Sequence, residues 1–232
     1  MKVRGRSWWP LRSGLTPNIP EFINLADYCL DARIREGRGD RRALITDAGD
    51  FTYAEVQRRA NRFAHVLRAA GVEPEQRVFL ALSDGFDWVA AFFATLKLGA
   101  AVVMGNPGLK PDEVAYFLDY TRAKVVVTEA APDATFRSVG AGSRTLREIL
   151  VAGSADLEAR LAASSEDFEN FPTHRDDAAI WLFSGGTTGR PKGVVQPHRS
   201  FVNTTELYGK GAMDITDEVL VALNREHEGV AR

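Results

Sequence analysis

Residues 184–193 read Ser-Gly-Gly-Thr-Thr-Gly-Arg-Pro-Lys-Gly, which puts four glycines, three hydroxyls and one lysine into ten positions. Glycines free a backbone to turn several N–H groups into one concavity, and such a concavity attracts anions. Ser184, Thr187 and Thr188 add neutral donors, and Lys192 adds a compact positive charge suited to phosphate. The chemistry these residues offer is the wrapping of a polyphosphate. A Walker loop requires Gly-x-x-x-x-Gly-Lys-Ser/Thr opening a helix. Here Arg190 and Pro191 separate Gly189 from Lys192, and Gly193 occupies the place of the magnesium-binding hydroxyl. Ala178–Phe183 before the stretch and Val194-Val195 after it are apolar. The expected device is therefore strand–loop–strand. A plain surface turn is the bland alternative, and the order of hydroxyls, glycines, proline and lysine argues against it.

The stretch resembles the phosphate-loop signature of the acyl-adenylate-forming superfamily: acyl- and aryl-CoA ligases, luciferases and the adenylation domains of peptide synthetases. The usual wording is Thr/Ser-Ser-Gly-Thr-Thr-Gly-x-Pro-Lys-Gly, and Gly185 stands where serine is commoner. His198-Arg199 resembles the benzoate-CoA-ligase-like branch. Phe51–Val56 and Leu96–Val103 resemble two further core motifs, both read as structural. The resemblance implies that Ser184, Gly185, Gly186, Thr187, Thr188 and Gly189 hold the β- and γ-phosphates of ATP. It assigns catalysis to Thr187 and Lys192, with Lys192 offsetting charge on the departing pyrophosphate. His198 is implied to line or orient the nucleotide site, a structural role being equally open. ATP, Mg2+ and coenzyme A are the implied cofactors, and a small carboxylic acid, aromatic by the branch resembled, is the implied substrate. No metal ligand is assigned in this chain. The acidic magnesium ligand, ribose aspartate and C-terminal catalytic lysine of full-length relatives have no counterpart located here.

The elements that must position the loop follow from periodicity. Asn24 reads as the N-cap of a helix carrying Leu25, Ala26, Cys29, Leu30 and Ile34 on one face and closed by Gly37. Thr52 and Glu55 form a capping box ahead of a buried stripe through Val56, Ala60, Phe63, Ala64 and Leu67. Val78–Leu82, Ala101–Met104 and Val125–Thr128 are short, continuous apolar runs, as buried parallel strands are. Helices from Phe86 to Lys97 and from Pro111 onward separate them, the second with Pro in its first turn and acids at its positive end. Leu146–Leu150 and Ala155–Ala163 read as short helices, Ser164–Asp177 as a solvated connector, and Ser200–Tyr208 as a helix start. The alternation predicts an α/β fold: a mainly parallel, doubly wound sheet flanked by helices. By resemblance it is a partial N-terminal domain of an acyl-adenylate-forming enzyme. The expected divisions are an irregular arm (1–20), a first α/β subdomain with connector (21–175), the start of a second subdomain carrying the loop (176–220) and a divergent tail (221–232).

Composition limits the alternatives. The 232 residues are 45% hydrophobic and 26% charged with net charge −2, an ordinary globular balance that gives no footing for nucleic acid or an anionic membrane surface. No apolar run approaches the roughly 20 residues that cross a bilayer. Cys29 is the single cysteine, so no internal disulfide forms, and a reducing, cytoplasmic setting is expected. Cys29 reads as a core thiol and His65 as a boundary residue. Three functional readings are open. They are the N-terminal part of an aryl- or acyl-CoA ligase, a truncated inactive relic with at most nucleotide binding, and a non-catalytic interaction module on the same fold.

Overall fold

The computed structural model describes residues 19–184 and 190–209, with side chains through residue 203. The arm before Ile19, the loop residues 185–189 and everything after Gly209, including the expected tail, lie outside the described residues. The first helix runs through a π-helical segment (Asp27–Asp31) into α1 (Ala32–Arg35), and strands β1 (Arg42–Thr46) and β2 (Gly49–Thr52) form a two-stranded antiparallel sheet. The second sheet has six strands, ordered β6-β5-β3-β4-β7-β8. They are β3 (Arg77–Ala81), β4 (Ala101–Met104), β5 (Val125–Thr128), β6 (Glu148–Val151), β7 (Ala178–Ser184) and β8 (Lys192–Pro197). All pairings are parallel except the final β7–β8 hairpin.

Alternating side chains divide the core as the pleat requires. Val78, Leu80, Val102, Val125 and Val127 point to one face and meet α2 (Tyr53–Ala69), α3 (Phe86–Lys97) and α6 (Ala155–Ala163). Phe79, Ala81, Val103 and Val126 point to the other and meet α4 (Pro111–Thr121) and α5 (Ala130–Gly140). Both faces are covered, which explains why these strands carry unbroken apolar sequence. The capping box is present: Glu55 N donates to Thr52 Oγ1 at 3.2 Å, and Thr52 N donates back to Glu55 Oε2 at 2.7 Å. Gly105 leaves β4 against the ring of Phe79, where a Cβ would lie 2.2 Å from Phe79 Cζ.

One expectation is corrected, and two features were not anticipated. Leu146–Leu150 is not a helix; β6 occupies Glu148–Val151 and pairs with β5 from Val125↔Glu148 to Thr128↔Val151. The open edge of β5 and the burial of Leu150 outweigh a local apolar spacing that suits either state. The helix α5 was not anticipated. Pro132 sits in its first turn, where a missing N–H costs nothing.

The stretch 164–177 is pinned to the body of the protein. Phe171 N donates to Lys97 O at 2.8 Å, and Thr173 is buried. Asn170 Nδ2 donates to Asp31 Oδ2 at 2.6 Å, beside the buried Lys97–Asp31 ion pair at 2.5 Å. Burial pulls the Lys97 pKa down while Asp31 opposes that shift. Removing one partner of such a pair strands the other charge.

Candidate functional site

Ser184 and Lys192 face each other as the last paired residues of the β7–β8 hairpin. Below them run the pairs Phe183↔Gly193, Leu182↔Val194 and Trp181↔Val195. The strand–loop–strand expectation is therefore met at both ends of the loop. β7 runs parallel to β4, with Val102↔Ile180 and Val103↔Trp181 in register. The glycine-rich loop thus leaves the sheet at the carboxyl edge shared by β3 and β4.

That edge holds a crevice for a topological reason. After β3 the chain crosses by α3 to β4 on one side; after β4 it crosses by α4 to β5 on the other side of β3. Successive right-handed crossovers in opposite directions put α3 and α4 on opposite faces, and the strand ends between them part. An open cleft of about 660 Å³ lies there. Ser83 and Asp84 after β3, and Met104 at the end of β4 with Asn106 and Pro107 after it, form two walls. Trp88 from α3, Phe117 from α4, and Phe183 and Pro191 from the hairpin complete it. Ser83 is held by Glu129, whose carboxylate accepts from Ser83 Oγ at 2.9 Å and from Ser83 N at 3.2 Å. The lining mixes aromatic walls with hydroxyl, amide and carboxylate groups, the character of a small-molecule site.

The candidate residues distribute unevenly around this cleft. Ser184 and Lys192 are exposed at the end of the hairpin, each next in sequence to a lining residue (Phe183 and Pro191), and Lys192 has no ion-pair partner among the described residues. Gly185, Gly186, Thr187, Thr188 and Gly189 lie outside the described residues. His198 is fully buried at the start of α7 (His198–Gly209), and its Nδ1 accepts from Leu25 N at 3.0 Å. The contact satisfies a free N–H at the start of the first helix, next to Asn24, whose Oδ1 accepts from Ala26 N at 2.9 Å. Asn24 also donates to Leu96 O at 2.7 Å, tying that helix start to α3. Burial lowers the His198 pKa to about 4, with Asp177 opposing, so the ring is neutral at pH 7.

Cys29 packs at the core margin, and burial pushes its thiol up to about 12, as a core reading requires. Half-buried His65 meets the Asp167 carbonyl at 2.8 Å. Sequence reasoning passed over Ser83, Asp84, Trp88 and Asn106. The signal for them was available: each follows one of two apolar strands whose connections predict a crevice.

Residues 31–228 match the family model described as AMP-binding enzyme. The chain belongs to the AMP-binding enzyme family. It is 36% identical over 203 residues to the benzoate–CoA ligase of Thauera aromatica, covering 86% of this chain and 38% of that one. A 4-hydroxybenzoate–CoA/benzoate–CoA ligase of Rhodopseudomonas palustris is 32% identical over 76% of this chain and 34% of its own length.

Among solved structures, an anthranilate CoA ligase in complex with anthranoyl-AMP superposes with TM-score 0.78 at 28% identity, over 84% of this chain and 38% of that chain. A benzoate CoA ligase from Burkholderia xenovorans LB400 gives TM-score 0.72 at 31% identity, over 83% and 38%. The chain thus spans little more than a third of the length of these relatives. The α/β architecture and the benzoate-CoA-ligase-like kinship expected from the sequence both hold. Among the described residues, no helix is long and apolar enough to cross a membrane.

Proposed function

We propose that this chain is the nucleotide-gripping part of an ATP-dependent acid–CoA ligase acting on a small aromatic carboxylic acid. The observation that carries the reading is Ser184 opposite Lys192 at the end of a hairpin whose Phe183 and Pro191 line a switch-point cleft, in a chain whose family match extends from residue 31 to residue 228. In this reading the substrate carboxylate attacks the α-phosphorus of ATP, pyrophosphate leaves, and the acyl group passes to the thiol of coenzyme A. Such substitution is accelerated mainly by positioning and by neutralising charge where it develops. Ser184, Gly185, Gly186, Thr187, Thr188 and Gly189 take the β- and γ-phosphates, and Lys192 balances charge on the leaving pyrophosphate. His198 is a positioning residue. It is buried and neutral, and it joins α7, which follows the hairpin directly, to the first helix. Aromatic acids are favoured by the kinship with benzoate and anthranilate ligases and by the Trp88 and Phe117 walls of the cleft. Among the described residues no cluster of three His, Cys, Asp or Glu suits a metal ion.

The test is carboxylate-dependent ATP–pyrophosphate exchange on the purified chain, with benzoate, anthranilate, hydroxybenzoates and aliphatic acids as the panel. Exchange with aromatic acids that drops about a hundredfold in Lys192→Ala is the expected result. ATP binding without exchange would support a second reading, a nucleotide-binding chain without turnover. Val194 and Val195, exposed on what is the edge strand among the described residues, favour that reading. Exchange undiminished in Lys192→Ala would overturn the role given to the lysine.

A further inference from the structure

The α4 helix presents three aromatic residues toward the hairpin. Phe117 meets Phe183 edge-on with centroids 4.5 Å apart, and Tyr120 meets Trp181 and Phe183 at 6.3 and 5.8 Å. Gly193 fits beneath them because it has no side chain; a Cβ there would stand 3.1 Å from Tyr120 Cε1. Tyr116, one turn before Tyr120, makes a different contact. Its hydroxyl donates to the carbonyl of Pro191 at 2.7 Å, and the guanidinium of Arg190 lies 5.1 Å over its ring.

Proline has no N–H, so its carbonyl is its only backbone hydrogen-bonding group. The carbonyl oxygen of Pro191 and the nitrogen of Lys192 belong to one rigid peptide plane. A bond that holds the oxygen orients the plane, and with the backbone of Lys192 held in extended form by its pairing with Ser184, the plane sets the direction in which the Lys192 side chain leaves the backbone. Ser184 stands directly across from Lys192, so the same bond fixes the loop's exit relative to its entrance.

We propose that Tyr116 is a positioning residue for the phosphate loop, aiming Lys192 through the Pro191–Lys192 peptide, with Arg190 stacked on the same ring. The inference rests on the phosphate-binding reading of that loop. It adds a residue on a separate element, far from the loop in sequence.

Two measurements on the full chain test it, using wild type, Tyr116→Phe and Lys192→Ala. Phenylalanine keeps the ring under Arg190 and removes only the hydroxyl. ATP affinity by titration calorimetry is expected to weaken about fivefold in Tyr116→Phe, the worth of one neutral hydrogen bond. Amide hydrogen exchange across residues 192–196 is expected to rise by a similar factor, while exchange in β5 stays put. Affinity and exchange both equal to wild type would overturn the proposal; if Lys192→Ala still loses binding, the phosphate reading itself stands. Faster exchange throughout the chain would also overturn it, since Tyr116 would then be a general stability residue. Failure of wild type to bind ATP, with the local exchange change intact, would retire the nucleotide reading and support the anchoring of Lys192.

Discussion

Strands β3–β5 and the outer half of the β7–β8 hairpin share one sheet and similar amino-acid types, yet the protein buries the first and exposes the second. Val78, Phe79, Val102, Val103, Val125 and Val126 are wholly inaccessible. Leu182, Val194 and Val195 in the hairpin are 37%, 44% and 45% exposed. The central strands have helices on both faces. Among the described residues the hairpin has a neighbouring strand on one edge only; its base, Ala179 and Ile180, is buried with Val202 of α7, and its outer half has the α4 aromatics on one face. The difference separates two tasks. Burial makes the parallel centre a stiff frame, and the residues with chemistry sit on an extension whose position depends on a few named contacts.

Truncation in the frame should hurt most. Phe79 is completely buried against Phe117 and Phe136, so Phe79→Ala is expected to cost about 3–5 kcal/mol. It should lower the thermal midpoint by about 10 °C; a loss below 1 kcal/mol would mean that the centre is not the rigid half.

A second effect of about 3 kcal/mol is expected from pH acting on His198, which joins frame and extension. Its folded pKa, about 4, lies below the ordinary 6.5, so the unfolded chain binds the extra proton first. The stability is therefore whole above pH 6.5 and is lost progressively as pH falls toward 4. Denaturant midpoints measured across that window should fall more steeply for wild type than for His198→Asn. Parallel profiles would show that the ring is not buried in its neutral form.

At the hairpin edge, Val195→Thr should change stability by no more than about 0.5 kcal/mol. A larger loss in chemical denaturation would reveal a cover over β8 and weaken the contrast.

How much of this was legible in the sequence depends on how local the cause was. Thr52 and Glu55 cap a helix from three residues apart, and Val78–Leu82 reads as buried because its own composition says so. Leu146–Leu150 misled because Leu146, Ile149 and Leu150 fit a helical face as well as a strand, and the deciding partner, β5, lies elsewhere in the chain. Val194-Val195 and Val125–Val127 look alike in sequence; only the folded layers separate the exposed pair from the buried run. The candidate loop was visible from its own residue types. Its supports were not, because Tyr116 to Pro191, His198 to Leu25 and Asn170 to Asp31 each join segments far apart in the chain. No local pattern announces such pairs.

The pairing of β7 with β4 also has a consequence for the order of assembly. Val102 must wait for Ile180, with α4, β5, α5, β6 and α6 made in between. Closing so long a stretch of chain carries an entropy cost that early contacts do not repay, and an isolated two-stranded hairpin is marginal in water. A nascent chain emerges N-terminal end first, so β3, β4 and β5 can consolidate before the hairpin exists. The geometry around Lys192 is then among the last acquired during folding and among the first surrendered when the molecule breathes, which makes the loop a sensitive reporter of whether the rest has folded.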